Sequence, residues 1–217
     1  MISLAHNFLF VHIPKTAGNS IQNVLIAYSE DKIVCLPNQD GLERFEVRSE
    51  KFNIHKHSTL QDYRKELGNE VFQRLFKFTS VRNPWDRVVS RFFSPSRGAV
   101  SWNREQFAKY IEQIPPLAAH ISLEGESNPK PSCYDNLDFI IRYESLNDDF
   151  KKVCELIGIP WVPLPIRNKS KRQPYAIYFD DELVELVRNR FAEEINYFGY
   201  EFEKNTLQGH SSDYPSR

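Results

Sequence analysis

Residues 7–25 read NFLFVHIPKTAGNSIQNVL. The first six of them, residues 7–12, form an apolar run rich in Phe and Val, which is typical of a buried strand. The run ends before Pro14, and a polar turn follows. Asn19 or Ser20 then stands where a helix N-cap is expected, ahead of an apolar helical pattern. This stretch predicts a strand–loop–helix unit, the opening of an α/β fold.

Strand-like and helix-like segments continue to alternate along the chain. Apolar runs predict strands at residues 75–81 and 137–142. A short strand is also predicted at 52–57. Helical patterns are predicted at 59–67 with a second short helix after Gly68, from Pro84 after an Asn83 cap, and at 103–113, 146–157 and 183–195. Residues 115–136 and 160–180 are proline-rich and predicted to be irregular. The alternation predicts a small parallel-sheet α/β domain.

The composition is that of a globular protein. The chain has 217 residues, of which 41% are hydrophobic and 13% aromatic, so it can bury the core of one domain and is not disordered. Its 28 Lys and Arg residues nearly balance 29 Asp and Glu residues, giving a net charge of −1. This balance argues against a general nucleic-acid coat, which needs a strong positive field.

Cysteine usage and the first residues bear on the compartment. The three cysteines, Cys35, Cys133 and Cys154, form no CxxC pair, so neither a disulfide framework nor a zinc site is predicted. Reduced thiols in a reducing compartment are expected. The first residues carry no basic segment, and polar residues interrupt their apolar run, unlike a signal peptide or a membrane span. We therefore expect a cytoplasmic protein.

The polar loop at residues 15–20 has the ingredients of an anion site. Backbone N–H groups and the positive end of the following helix attract anions. Thr16, Asn19 and Ser20 could add side-chain donors, and Lys15 could place its charge on a phosphate or on a leaving oxygen. The loop is not a Walker A motif, because its lysine comes first instead of last. A tight turn with an exposed lysine is the alternative that the residues alone leave open.

A second polar segment follows the strand predicted at 75–81. Arg82 comes directly after that strand, at the edge where open α/β sheets bind ligands, and could form a bidentate pair with a phosphate. Ser90 lies two turns into the next helix and could donate its hydroxyl to the same group. The alternatives are an Arg82 that pairs with a structural carboxylate and a Ser90 that is a solvated helix residue.

Taken together, HIPKTAGNS at 12–20 and SVRNPWDRVVS at 80–90 resemble the nucleotide-binding segments of a known enzyme family. This family is the sulfotransferases that use 3′-phosphoadenylyl sulfate (PAPS), in the branch of the heparan and chondroitin sulfate O-sulfotransferases and their short bacterial relatives. The resemblance implies a P-loop-NTPase-like three-layer domain with a central parallel sheet flanked by helices. It also implies that the 5′-phosphosulfate is held by Lys15, Thr16, Ala17, Gly18, Asn19 and Ser20, and the 3′-phosphate by Arg82 and Ser90.

The resemblance extends over nearly the whole chain. DFIIRYESL at 138–146 looks like the family's late core strand and turn, and FGYEF at 198–202 looks like its usual ending. NKSKRQPY at 168–175 looks like the loop that closes over the nucleotide, where Lys169, Ser170 and Lys171 would contact it and Tyr175 is one candidate for stacking on adenine. We expect one sulfotransferase domain over residues 1–204 and a flexible tail over 205–217.

The mechanism that this resemblance implies needs a base for the acceptor hydroxyl, and histidine suits that role. His55 and His57 are two residues apart, so on a strand they share a face, with Lys56 on the other. The family's carbohydrate 2-O-sulfotransferases place histidines in a comparable segment. His57 is the leading candidate and His55 the second choice or an orienting partner, the alternative being two half-exposed strand-end residues. Lys15 would stabilise the phosphate oxygen released from sulfur.

The expected reaction is transfer of a sulfuryl group from PAPS to a hydroxyl of a carbohydrate-type acceptor, a glycan or small metabolite, leaving adenosine 3′,5′-bisphosphate (PAP). No metal is expected, because the sequence shows no ligand cluster, and no nucleic-acid partner or membrane span is expected either. Two alternatives stay open: a P-loop kinase using ATP and magnesium, and a non-catalytic nucleotide-binding protein. The oligomeric state is not readable from the sequence.

Overall fold

The computed structural model describes residues 1–37, 39–94, 98, 100–123, 131–165 and 172–203. The chain divides into two compact units. The first comprises Met1–Asn83 and Pro115–Lys169, and the second comprises Pro84–Ile114 and Ser170–Arg217. Most of the predicted site residues, including Lys15, His57 and Arg82, therefore belong to the first unit. The predicted tail at 205–217 lies outside the described residues.

The first unit is built on a mostly parallel sheet. Its described strands are β1 (Ile2–Ser3), β2 (Phe8–Val11), β3 (Lys32–Val34), β4 (Glu46–Arg48), β5 (Phe76–Val81) and β6 (Phe139–Arg142). The central sheet has the order β1-β2-β5-β6, with β1 antiparallel to β2 and the other two pairs parallel. β3 and β4 pair separately as an antiparallel ribbon. The strands predicted at 7–12, 75–81 and 137–142 are confirmed as β2, β5 and β6.

The strand predicted at residues 52–57 is wrong. His55 forms an isolated bridge with Arg48, residues 56–57 form a turn, and residues 52–54 are irregular. The amide of Ile54 donates to the Phe52 carbonyl, whereas the amides of Asn53 and Lys56 donate to the carboxylates of Glu66 and Glu46. The segment is not a strand because these amides bond locally or to side chains instead of to a neighbouring strand.

Helices cover the sheet of the first unit, and the second unit is helical over its described residues. The helices are α1 (Gly18–Leu25), α2 (Leu60–Arg74), α3 (Pro84–Phe92), α4 (Arg104–Gln113), α5 (Ala118–Ile121), α6 (Leu146–Ile157), α7 (Asp181–Arg190) and α8 (Ala192–Phe198). Of these, α1, α2, α5 and α6 belong to the first unit. The first unit is thus an α/β domain with a central, mostly parallel sheet flanked by helices, as predicted.

Local signals account for several helix boundaries. Thr59 caps α2, with Asp62 completing a reciprocal capping box. Gly68, at φ 73°, interrupts α2, which matches the prediction of two successive helices. α3 begins at Pro84, as predicted from the preference of proline for the first helical position.

The helix predicted at 183–195 is divided in two. Phe191 takes a φ of −120° and a ψ of 27°, which ends α7 and precedes α8. The apolar spacing of four residues runs through this break, because the buried ring of Phe191 still faces the core. Hydrophobic periodicity alone therefore predicted one continuous helix.

The core of the first unit lies between one face of the sheet and helices α1 and α6. Phe8, Phe10 and Phe78 are fully buried, and the Phe10 and Phe78 rings are 5.2 Å apart. Ile21 of α1 and Phe150 of α6 belong to the same cluster. This packing holds the carboxyl ends of β2, β5 and β6 in register, so the residues that follow them share one edge. No helix in the described ranges is long and apolar enough to cross a membrane.

Candidate functional site

The loop between β2 and α1 has an alternating backbone. Lys15 and Ala17 both have positive φ, 71° and 76°, whereas Thr16 between them does not. A non-glycine residue in this region costs about 1–2 kcal/mol, and such strain collects at ligand sites. When successive residues alternate between left-handed and right-handed backbone conformations, their N–H groups line one concavity, the nest found in phosphate-binding loops. The backbone at 15–18 is thus shaped for an anion.

α1 begins at Gly18, directly after this loop. Its N-cap is Ala17 in the left-handed region, with no capping side chain, and the Ile21 amide donates to the Ala17 carbonyl. The predicted cap at Asn19 or Ser20 is wrong, because both residues already lie in the first turn of the helix. The Asn19 side-chain amide donates to the Glu43 carbonyl, and Ser20 is buried.

Thr16 ties the loop to β5. Its hydroxyl donates to the Ile13 carbonyl at 2.8 Å and lies 2.8 Å from the Ser80 hydroxyl. Thr16 and Ser80 are both fully buried. The Thr16 hydroxyl, which the sequence analysis considered as a hydrogen-bond donor to an anion, therefore anchors the loop. A ligand would be bound through the backbone N–H of Thr16 instead.

Arg82 is held by two neighbouring segments, the loop after β2 and the turn after β6. Its Nη1 donates to the Lys15 carbonyl at 3.3 Å, which joins the two predicted phosphate segments. Its guanidinium carbon lies 3.7 Å from the centre of the Tyr143 ring, directly after β6. The next backbone amide, of Asn83, donates to the Glu144 carboxylate at 2.7 Å. The turn after β6 thus fixes both the side chain of Arg82 and the chain that follows it.

His12 stands between the loop and the predicted base. Its Nδ1 lies 2.9 Å from Oε1 of Gln22, and its ring covers Gly18 so closely that a Cβ there would be 2.0 Å from its Cδ2. Its ring centroid is 4.6 Å from that of His57. Burial, and then the charges of His57 and Lys56, lower the pKa of His12 well below its ordinary value. His12 is therefore a neutral imidazole at physiological pH.

The two predicted bases have different surroundings. Nδ1 of His57 is 3.2 Å from the His12 carbonyl, and the residue is exposed. Nδ1 of His55 instead contacts the Arg48 guanidinium, at the β3–β4 ribbon. Because the segment is a turn, strand alternation does not relate the two rings. The structure thus brings His57, and not His55, into contact with the residue that adjoins the anion loop.

Strand alternation does not place Lys56 either, and its side chain is directed to Phe45. Its side chain is buried, its Nζ donates to the Phe45 carbonyl at 2.8 Å, and it lies 3.6 Å from the centre of the Phe45 ring. Burial lowers the pKa of Lys56 to about 8, against the opposing effect of the Glu46 and Asp40 carboxylates. This ammonium group acts electrostatically on His12.

The remaining predicted residues belong to the C-terminal loop and the second unit. Ser90 lies in α3 and is buried, so its interpretation as a solvated helix residue is wrong. Lys169, Ser170 and Lys171 lie outside the described residues. Tyr175 is buried, packs on Phe179 and Phe202, and accepts a hydrogen bond from the Glu203 amide. An adenine stacked on the Tyr175 ring would have to compete with this packing.

Two features of the site were missed from the sequence. The contacts of His12 with Gly18, Gln22 and His57 join residues up to 45 positions apart, and only the place of His12 beside the loop hinted at a role. The contact of the Tyr143 ring with the Arg82 guanidinium was not predicted from the sequence either. Among the described residues, no group of three or more His, Cys, Asp or Glu side chains could hold a metal ion.

Comparison with known proteins identifies the family of the chain. The model of the Sulfotransferase family matches residues 1–201. An uncharacterized protein of Archaeoglobus fulgidus is 30% identical over 97 residues, which are 45% of this chain and 79% of the relative. No solved structure matches the chain. The match over residues 1–201 places both predicted phosphate segments within the matched region, and the chain belongs to the Sulfotransferase family.

Proposed function

We propose that the protein is a PAPS-dependent O-sulfotransferase that acts on a hydroxyl of a carbohydrate-type acceptor, with His57 as general base. Membership of the Sulfotransferase family supports sulfuryl transfer as the reaction. The observation that best supports the finer proposal is the hydrogen bond from Arg82 to the Lys15 carbonyl. Because of this bond, a guanidinium lies beside the anion loop. PAPS carries phosphate groups on both the 5′ and the 3′ side of its ribose, so its binding requires a cationic group of this kind in addition to the loop.

The 5′ end of the donor fits the loop after β2. The backbone N–H groups at the start of α1 would bind it without the Thr16 hydroxyl, which donates to the Ile13 carbonyl. The positive φ values of Lys15 and Ala17 shape that concavity before a ligand arrives. We assign the 5′-phosphosulfate to Lys15, Thr16, Ala17, Gly18, Asn19 and Ser20.

The 3′-phosphate fits Arg82. A guanidinium binds a phosphate through two parallel hydrogen bonds, and a fixed guanidinium loses less freedom on binding than a mobile one. The Tyr143 ring and the Lys15 carbonyl supply that fixation. The roles of Ser90, Lys169, Ser170 and Lys171 stay predictions of the family resemblance.

His57 is the better candidate for the base. A backbone carbonyl only accepts, so Nδ1 of His57 donates to the His12 carbonyl and Nε2 carries the lone pair. Nε2 takes the acceptor's proton while the acceptor oxygen bonds to sulfur. The bond from sulfur to the phosphate oxygen breaks, and Lys15 balances the charge left on PAP. The Arg48 guanidinium only donates, so Nδ1 of His55 accepts and the lone pair of that nitrogen is already engaged, which favours His57.

The same proposal covers the acceptor, the cellular compartment and the domain organisation of the enzyme. A net charge of −1 suits a neutral or lightly charged glycan or a small hydroxylated metabolite better than a polysulfated polymer. Three cysteines without pair spacing fit a reducing cytoplasm. We propose that residues 1–204 work as one sulfotransferase domain.

Thermal unfolding with different nucleotides tests the donor class. At about 100 times its Kd, a ligand stabilises the folded state by roughly 2.7 kcal/mol, which moves the melting temperature by several degrees. We expect this shift with PAP and not with ATP and magnesium. A shift with ATP and magnesium alone would support a kinase instead. His57→Ala should keep the PAP shift and lose turnover, whereas retained turnover would remove His57 from the mechanism.

A further inference from the structure

His12 contacts His57 in two ways at once. The His12 carbonyl lies 3.2 Å from Nδ1 of His57. The two rings lie side by side, with their centroids 4.6 Å apart and their planes inclined by 52°. One residue therefore meets both the edge and the face of the His57 ring, although 45 positions separate the two in sequence.

The His12 ring is itself held in place from two sides. Its Nδ1 is 2.9 Å from Oε1 of Gln22 on α1. Its opposite edge covers Gly18, where an added Cβ would be 2.0 Å from Cδ2 and 2.3 Å from Nε2. His12 is also only 4% exposed. A ring bonded on one edge and packed on the other cannot turn without disturbing the first turns of α1.

These contacts define the protonation of both rings. The His12 carbonyl can only accept, so Nδ1 of His57 carries its proton. Oε1 of Gln22 likewise accepts from Nδ1 of His12. Burial and the neighbouring charges of His57 and Lys56 lower the pKa of His12, which keeps this ring neutral. A neutral neighbour opposes a proton arriving on His57 much less than a charged one would.

We infer that His12 is a positioning residue for His57: it fixes the tautomer and the ring orientation of the base and joins them to the anion loop at Gly18. In this role His12 contacts neither the sulfuryl group nor the acceptor's proton. The inference rests on the proposed function for its catalytic meaning, but the tautomer that it requires is a property of the protein alone.

The tautomer can be measured directly. Long-range 1H–15N spectra of protein labelled with 15N-histidine distinguish a protonated Nδ1 from a protonated Nε2, and His57→Gln identifies the signals of His57. We expect a protonated Nδ1 in the wild type. His12→Asn keeps a donor toward Gln22 and the backbone carbonyl but removes the ring, so we expect Nδ1 of His57 to stay protonated while the orientation of its ring is no longer fixed. His6→Asn, the same change at a half-buried histidine, is the control and should leave His57 unaltered.

Turnover and binding separate positioning from a loss of structure. We expect His12→Asn to lower kcat about tenfold or more while the Kd for PAP stays within about twofold. In the double variant with His57→Gln, the loss should be no larger than with His57→Gln alone, because the two residues act as a unit.

Three results would overturn the inference: a protonated Nε2 on His57 in the wild type, an unchanged kcat in His12→Asn, or a loss in the double variant that multiplies the single losses. The wild-type spectrum decides the first even if His12→Asn does not fold. A wild type that fails to bind PAP would contradict the proposed function instead, and would leave the measured tautomer standing.

Discussion

The guanidinium carbon of Arg82 lies 3.7 Å from the centre of the Tyr143 ring. Arg82 follows β5, and Tyr143 follows the neighbouring strand β6. The parallel pairing of the two strands therefore creates the contact. An aromatic face favours a cation and leaves the in-plane N–H groups of the guanidinium directed outward. This arrangement presents Arg82 to an anion in a fixed orientation.

Replacing Tyr143 by Leu should weaken PAP binding by about 1 kcal/mol, or roughly fivefold in Kd, because Arg82 loses its aromatic support. Binding of adenosine 5′-phosphate, which lacks the 3′-phosphate, should not change. Tyr143→Phe is the matched control and should bind PAP as the wild type does. Calorimetric titration of both nucleotides checks this, and equal losses for both would show that Tyr143 does not act through the 3′-phosphate.

Gly18→Ala should destabilise the fold by about 1–3 kcal/mol, the usual cost of overpacking. The added Cβ would come within 2.0 Å of the His12 ring. In a His12→Ala background the ring is gone, so the same change at Gly18 should cost markedly less. Urea unfolding of the four proteins measures the coupling. Additive effects of the two changes would mean that the close approach of the ring does not restrict position 18.

Acid should destabilise the protein through His12. Its pKa is lowered in the folded state, so below its ordinary value of 6.5 the unfolded chain binds a proton that the folded chain does not. Stability attributable to His12 is therefore full above that pH and falls as the pH drops below it, by up to about 1.4 kcal/mol per pH unit.

The difference in unfolding free energy between wild type and His12→Asn isolates this effect from the carboxylates. It should be constant between pH 7 and 8 and should shift in favour of the variant between pH 6.5 and 5. A difference that stays flat over the whole range would mean that folding does not lower the pKa of His12.

The second unit contains a buried ion pair, Arg87 with Glu194, in which each side chain is 1% exposed. Arg87→Met should cost about 3–5 kcal/mol, because it leaves the Glu194 carboxylate buried without this partner. Arg87→Met combined with Glu194→Gln should recover part of the loss. Thermal and urea unfolding test both variants, and a single variant as stable as the wild type would show that the pair contributes nothing.

Local signals in the sequence predicted much of the fold. The strand at 7–12, the helix from Pro84 and the start of a helix near Thr59 were predicted correctly, because each depends on neighbouring residues. The break at Phe191 was missed because apolar spacing is the same on either side of it. The segment at 52–57 was wrongly predicted as a strand, because the alternation of Phe52 and Ile54 with polar residues does not show whether a partner strand is present.

The site was predictable only as a set of residues. Loop position and residue type pointed to Lys15, Arg82 and His57. The contacts that organise them depend on the packing of distant segments: His12 against Gly18 and His57, and Arg82 against Tyr143. The left-handed Ala17 gives no signal in sequence either, because alanine ordinarily avoids that conformation.

Calorimetric titration of PAP and of adenosine 5′-phosphate into the wild type and Arg82→Ala tests most directly whether the two loops bind a nucleotide with phosphates at both ends. The wild type should bind PAP at least tenfold more tightly than adenosine 5′-phosphate, and this preference should disappear in Arg82→Ala, since a bound phosphate loses its bidentate partner. Equal affinities of the wild type for both nucleotides, or a preference that survives in Arg82→Ala, would contradict the account.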